Sequence, residues 1–420
     1  VRRSWRWLVL GWSVALIAAA TLLPLEATTS RQLPPHWCIA CGGAWAADAV
    51  SNIALFTPLG LALALCRFGA PIATLLGGVL SLAVELSQSA GVPPGRSPSI
   101  ADLLTNTAGT MAGWLVLRHA ARLIWASGAK ATKLAAIWWT AALAVLVLAA
   151  GAEHGDTPRG AVRFTASRFE YSPGYGWYGG SPISATVSTT GGQPAWTLPH
   201  RGTGPIVAQS SSPSDSWQVS LETADRDSAT SRRAILYVHT VKDSTAELVI
   251  AQHDRDAELL VRRRAADWGL VFPVLPLRVA FDAPTSRDTV RLHASATGKR
   301  IVLTKDSPSG RREVALDLSP ALGWTMLQTL VGVEHPLAPL IAALWLGVLF
   351  LPIAWWATRS GRALASAVSA IGLSFAAFGL GPMLKVAPFS ARDAVLTLLV
   401  WAVGTMGAKR TLGATQPPPG

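Results

Sequence analysis

Apolar residues along this chain gather into long unbroken runs, give way to a two-residue alternation, and then return to long runs. The runs cover roughly 5–25, 50–67, 70–90, 100–118, 134–151, 337–357, 363–383 and 393–408. At about 1.5 Å of rise per residue, a helix over each is long enough to cross a bilayer's hydrocarbon core. Between the fifth and sixth runs, residues 153–335 are polar and carry short alternating stretches. These include "AVRFTA", "DSWQVSLETA", "RAILYVHTV", "AELVIAQH", "AELLVRRR", "PLRVAFDA", "DTVRLHAS" and "KRIVLTKD". Period-two patterning broken by Gly, Pro, Asp and Ser turns predicts a β-sandwich. The predicted fold class is therefore a multi-span α-helical membrane protein of about eight helices with an inserted all-β sandwich domain. Its parts are a four-helix membrane domain over 1–130, a fifth helix over 131–152 and the sandwich over 153–320. An interfacial segment follows over 321–336, then three helices over 337–410 and a disordered tail over 411–420.

Composition agrees with a membrane protein: mean hydropathy is +0.35, only 14% of residues are charged, and there are 18 Trp. Charge then sets an orientation. The stretch 153–335 is nearly neutral, with 20 basic and 19 acidic residues, so almost all of the net +12 lies in the remainder. Of the 16 basic residues there, 12 fall at one set of helix ends: Arg2, Arg3, Arg6, Arg67, Arg118, Arg122, Lys130, Lys133, Arg359, Arg362, Lys409 and Arg410. The positive-inside rule places that set in the cytoplasm, with both termini inside and 153–335 outside. The basic balance thus needs no nucleic acid. The first run follows Arg2, Arg3 and Arg6 and lacks a small-residue cleavage pattern, so it reads as a retained anchor.

Three runs each carry a polar pair at the predicted outer end. Asp48 and Asn52 open the second, Glu85 and Gln88 close the third, and Asp102 and Asn106 open the fourth, with Arg96 in the loop before it. Residues three or four apart share a helix face, so each pair points one way. Arg96 is a counter-charge for Glu85 or Asp102, held by Pro93, Pro94 and Pro98, and Ser99 is placed to cap the fourth helix. Gly77, Gly78, Gly109 and Gly113 offer small faces for close helix approach. Such polar groups serve either as interhelical glue or as a ligand site. Cys38 and Cys41, in "HWCIACGG", can close a disulfide loop, remain as thiols, or supply two of the four ligands a metal needs.

The segments "DAVSNIALFTPLG", "GGVLSLAVELSQ" and "RSPSIADLLTNTAGTMAG" resemble the VanZ-like family of bacterial membrane proteins over about residues 5–125. That pattern is Asp-x3-Asn before a Phe-x-Pro-x-Gly turn, then Glu-x2-Gln, then Arg followed by Asp-x3-Asn-x2-Gly. The resemblance implies a plasma-membrane envelope protein, and it singles out Asp48, Asn52, Glu85, Gln88, Arg96, Asp102 and Asn106. The family takes its name from a member associated with low-level teicoplanin resistance, and its chemistry is not established. The Cys38–Cys41 loop is similar to members with a Cys-rich first loop.

Three functions are compatible with the residues. The first is glycopeptide-susceptibility change through binding of a lipid-linked or wall glycan at the polar cluster. The second is a membrane enzyme using Glu85 and Asp102 as acid and base on a lipid-linked substrate. The third is a tether for a surface-glycan-binding domain. No phosphate loop, dinucleotide fingerprint or zincin helix is present, so no cofactor or resident metal is expected.

The insert resembles a laminin-G or concanavalin-like jelly roll, with Trp217 as a buried strand aromatic and "LVIAQHDRDAELLVR" as a bare-edged hairpin. Such folds often bind glycans or Ca²⁺, which makes surface polysaccharide an expected partner. The stretch Tyr171 to Gly180, "YSPGYGWYGG", has a sugar-stacking composition but suits an ordinary loop equally. The acidic turns Asp225/Asp227 and Asp254/Asp256 lack a full calcium-ligand set. "ALGWTMLQTLVGVEH" is apolar but short, and reads as an interfacial helix with Trp324 at headgroup level.

Overall fold

A computed structural model describes residues 4–22, 37–39, 43–93, 96–155, 162–165, 178, 181–189, 196–198, 206–208, 217–224, 232–240, 246–271, 273–281, 289–308, 310–327 and 332–413. The chain divides into two compact units, residues 1–127 with 269–271, and residues 128–268 with 272–420.

The first unit contains α1 (Ser4–Leu22), α2 (Trp45–Leu65), α3 (Ala70–Ser89) and α4 (Ile100–Ile124). The Phe-x-Pro-x-Gly stretch is no turn: α2 runs straight through Pro58 and Gly60. The reason lies across the seam with α4. A side chain at Gly60 would collide with the Thr110 carbonyl, one at Gly109 with the Ile53 carbonyl, and one at Gly113 with the Thr57 carbonyl. Three missing side chains thus let two backbones touch, which is how helices gain packing where apolar burial offers little. Gly77 similarly admits the Thr110 side chain, packing α3 on α4, whereas Gly78 only meets Thr107 at 3.4 Å. Beneath this seam Ile17, Phe56, Leu59, Leu63 and Ala73 form a small apolar core, and Trp114 Nε1 donates to the Phe68 carbonyl at 2.9 Å.

The second unit starts with α5 (Gly128–Glu153), which begins six residues earlier than its apolar run suggests. Twelve strands follow, in two antiparallel sheets of six. One sheet has the order β4-β1-β6-β7-β8-β9, from β1 (Val162–Thr165), β4 (Ile206–Ala208), β6 (Arg233–Thr240), β7 (Ala246–His253), β8 (Asp256–Val261) and β9 (Val274–Leu277). The other has the order β12-β11-β10-β5-β2-β3, from β2 (Ser181–Thr189), β3 (Trp196–Leu198), β5 (Trp217–Ala224), β10 (Val290–Ala296), β11 (Arg300–Ser307) and β12 (Gly310–Asp317). Alternation decides which faces turn inward. In β10, Val290, Leu292, Ala294 and Ala296 are buried while Arg291 and His293 are exposed. These residues join Trp217, Val219 and Leu221 of β5 and Leu248, Ile250 and Leu259 of the other sheet in one apolar core.

Several expectations for this domain need correction. The β7–β8 hairpin is not bare-edged, because β6 pairs with β7 and β9 pairs with β8. In "PLRVAFDA" the strand stops at Leu277, Val279 turns with φ 51°, and Phe281 enters the core. Four further strands lie outside the alternating stretches named from the sequence: β3 and β4 are only three residues long, β12 is rich in charge, and β2 alternates Ile183, Ala185 and Val187 with small polar residues. The segment after the sheets is no interfacial helix. It forms a 3-10 helix over Pro320–Met326 with all seven residues buried, and Trp324 packs with Ala338 and Ala342 instead of facing lipid headgroups.

The remaining helices are α6 (Ala338–Arg359), α7 (Ala363–Ser374), a π-helical turn (Phe375–Gly379), α8 (Leu380–Met383) and α9 (Ala391–Gly413). Residues Ala363–Met383 form one apolar span in spite of that internal turn. Trp138 Nε1 donates to the Leu349 carbonyl at 3.1 Å, fastening α5 to α6, and Gly404 leaves room for Ala354 and the Leu351 carbonyl. Residues 414–420, the expected tail, lie outside the described residues.

Among the described residues, seven helices are long and apolar enough to cross a membrane. The eighth anticipated span, α4, has the length (25 residues) but not the composition. Asp102, Thr105, Asn106, Thr107 and Thr110 line its first half, and Arg118 and Arg122 its second.

Near the start of α6, burial pushes the Glu334 carboxyl above the usual range against the pull of Arg278, with Asp256 adding to the rise. Such a group binds its proton more tightly folded than unfolded, so its contribution is present at low pH and lost as pH climbs through the folded value. Glu334→Gln should flatten the decline in thermal stability just above the ordinary carboxylate range. An unchanged pH profile would assign that decline to another group.

Candidate functional site

The polar side chains of α2, α3 and α4 meet at one end of the first unit. Glu85 is the most enclosed charge of the cluster, at 1% exposure, and its Oε2 accepts the Ser99 backbone N–H at 2.7 Å. That bond ties the last turn of α3 to the cap of α4. Ser99 works in both directions, since its Oγ accepts the Asp102 N–H at 3.3 Å and donates to the Ile39 carbonyl at 3.3 Å. The cap expected at Ser99 is therefore present.

A short backbone bridge completes the α4 N-terminus. Cys38 pairs with Ser99, so that the Ile100 N–H donates to the Cys38 carbonyl at 3.0 Å and the Ala101 N–H to the Ile39 carbonyl at 2.9 Å. A helix start leaves its first N–H groups without intrahelical partners, and this loop supplies them. Cys38 is disulfide-bonded and Cys66 is a free thiol, while Cys41 lies outside the described residues.

Arg96 sits at the electrostatic centre. It interacts with Asp48, Glu85 and Asp102, and its Nη2 donates to the Ala20 carbonyl of α1 at 3.0 Å. Asp48 and Asp102 also repel each other, as do Asp102 and Glu85. Asn52 lies against the Asp102 carboxylate, but its Nδ2 is buried outside hydrogen-bonding geometry. Asn106 is buried and donates to Ser81 Oγ at 3.0 Å, leaving its Oδ1 without a partner among the described residues. Gln88 is buried one turn beyond Glu85. Asp48 is the outermost member and is exposed.

All seven singled-out residues therefore fall on converging helix ends, and Pro93 and Pro98 frame the loop that carries Arg96; Pro94 lies outside the described residues. Sequence reading missed three contributors. Ser81 receives Asn106, Ala20 receives Arg96, and the Cys38–Ile39 backbone caps α4. A buried serine inside an apolar run was the only available signal, because backbone acceptors leave no trace in residue type. Among the described residues no group of His, Cys, Asp and Glu is arranged to hold a metal ion.

Residues 9–124 match the VanZ/LLP1 family model, a span that contains every residue of this cluster and of its capping loop. The chain carries a VanZ-like domain. No curated protein and no solved structure matches the chain. The matched residues lie within the first compact unit and include the polar cluster.

Elsewhere the anticipated features resolve into structural roles. Tyr178, the described tyrosine of the aromatic-Gly segment, is buried in the β core with its hydroxyl 2.9 Å from Thr223 Oγ1, so it offers no stacking face. Asp256 accepts from Arg278 at 2.6 Å and from the Val279 N–H at 2.8 Å, which commits it to the turn; Asp225 and Asp227 lie outside the described residues. Ser390 caps α9, its Oγ accepting the Asp393 N–H at 3.1 Å and donating to Asp393 Oδ2 at 2.6 Å.

Proposed function

We propose that this protein is a bacterial envelope protein whose VanZ-like cluster binds the polar head of a lipid-linked or wall glycan at the outer leaflet, changing glycopeptide susceptibility of the teicoplanin type. The observation that carries this reading is that three carboxylates, Asp48, Glu85 and Asp102, interact with one arginine, with Asn52 against Asp102 and with Gln88 and Asn106 buried on the same helices. Buried polar groups in apolar helices are costly and are retained where they face a ligand or one another. The basic bias of helix ends supports cytoplasmic termini and an outward β domain. A β domain of concanavalin or laminin-G type would then reach surface polysaccharide.

Glu85→Gln separates charge from scaffold, because glutamine keeps an acceptor for the Ser99 N–H while losing the negative charge. In a host whose teicoplanin susceptibility depends on this protein, both Glu85→Gln and Arg96→Ala should return susceptibility to that of the empty-vector strain, with membrane levels unchanged. Full wild-type effect in both variants removes the site. The repulsive approach of Glu85 to Asp102 favours a second reading, acid–base catalysis on a lipid-linked substrate. Turnover by purified protein that disappears in Asp102→Asn would select that reading, and inactivity across lipid phosphates and glycolipids would reject it.

A further inference from the structure

The helix that opens the polar cluster has no side-chain cap of its own. Ala44 stands at the N-cap of α2, and an alanine side chain has no acceptor for the first N–H groups of a helix. Those donors are satisfied from far along the chain. The Gly269 carbonyl accepts the Ala46 N–H at 2.8 Å and the Ala47 N–H at 3.1 Å. Counted from Ala44, these are the second and third helical residues, the two that an N-cap serine or aspartate oxygen ordinarily serves. Gly269–Val271 lie within the first compact unit although they follow β8 in sequence, and Gly269 is buried.

The position demands glycine. Its φ is 67°, in the left-handed region, and a Cβ there would collide with the Trp45 indole. The turn just before it is fixed by its own contacts, since Arg262 Nη2 donates to Asp267 Oδ1 at 2.6 Å and Ala265 is buried. The consequence falls on the cluster. The Asp48 N–H donates to the Ala44 carbonyl at 3.0 Å, so Asp48 closes the same first turn that Gly269 caps. The Asp48 carboxylate interacts with Arg96 and with Asp102. Residue 269 lies outside the family-matched span 9–124, so the cap of α2 comes from beyond the matched stretch.

We infer that Gly269 is a positioning residue of the candidate site: its carbonyl stands in for a missing N-cap side chain and holds the first turn of α2, and with it Asp48, in place. This rests on the headgroup-binding reading above and adds to it a residue that acts through Asp48.

The test uses full-length Gly269→Val, because a β-branched side chain tolerates a positive φ least. Hydrogen–deuterium exchange in the peptide that starts α2 should be about fivefold faster than in the parent, the usual scale for loss of an N-cap. Exchange along the α2–α4 seam should stay unchanged, and the teicoplanin effect should be lost. Adding Ala44→Ser supplies a side-chain cap and should restore both readings, which a general folding defect would not allow. Gly269→Ala should give the same pattern at smaller size, and it carries the test if the valine variant fails to accumulate. Unchanged exchange at the start of α2 overturns the cap, as does failure of Ala44→Ser to recover either reading. Faster exchange with the teicoplanin effect intact, while Glu85→Gln abolishes that effect, overturns the positioning role. If Glu85→Gln and Arg96→Ala also leave the effect intact, the headgroup reading fails and the positioning role falls with it.

Discussion

Gly113→Leu will prevent α2 and α4 from closing on each other, and the VanZ-like domain will lose its thermal transition or become protease-sensitive in detergent. A Cβ at this position lands on the Thr57 carbonyl and crowds the Leu61 backbone nitrogen. Backbone cannot rotate aside as a side chain can, so the helices must separate. Overpacking of this kind costs about 3 kcal/mol, at the upper end of its usual range. Separation also breaks the Thr57 contact to the Gly109 carbonyl and pulls Asn52 away from Asp102, so ligand binding should fall with stability. Gly78→Ala is the matched control. Its new methyl meets Thr107 at ordinary van der Waals distance, and a near-wild-type transition is expected. Equal behaviour of the two variants would mean that α2 and α4 are not in backbone contact.

Arg263→Ala will destabilise the second unit by about 1–3 kcal/mol, because it removes a buried guanidinium that bonds the Thr297 carbonyl beside the enclosed Glu153. Glu153 ends α5 fully enclosed, and among the described residues neither of its oxygens has a hydrogen-bond partner. Arg263, at the end of β8, is the cation that interacts with it, and its Nη2 also donates to the Thr297 carbonyl at 3.3 Å. The backbones are joined at the same place, by pairing of Gly155 with Arg263 and by the Arg264 N–H donating to the His154 carbonyl at 3.0 Å. These backbone bonds fasten α5 to the β domain, with the Arg263 guanidinium beside Glu153. Glu153→Gln, which keeps the side-chain shape and removes only the ionisable group, should cost less than Arg263→Ala. Chemical denaturation followed by tryptophan fluorescence reads both variants. A benign Arg263→Ala would show that the guanidinium adds nothing to this fastening.

Apolar run length located the seven apolar helices among the described residues to within about six residues at each end, because a span must satisfy all its backbone bonds internally and therefore declares itself by composition. It overstated α4, whose polar N-terminal half serves the cluster instead of lipid. Converging polar pairs were legible from three- and four-residue spacing alone. Their capping was not, because the Cys38 and Ile39 carbonyls act through backbone atoms that any residue possesses. In the β domain, strands with one buried face, such as β5 and β10, showed their alternation clearly. Strands β6 and β7 are buried almost end to end, so the hairpin's interior position was hidden. Glu153 escaped notice because a lone acidic residue at the end of an apolar run looks like a boundary marker, and its partner lies far along the chain.

Cross-linking Asn52→Cys with Asp102→Cys, in a Cys66→Ser background and in native membranes, tests the convergence of the helix ends most directly. The two positions face each other across the α2–α4 seam, so a disulfide should form under mild oxidation and be recovered as one linked peptide pair. Failure of this pair to link, with the Cys38 disulfide still intact and the protein correctly inserted, would contradict the cluster.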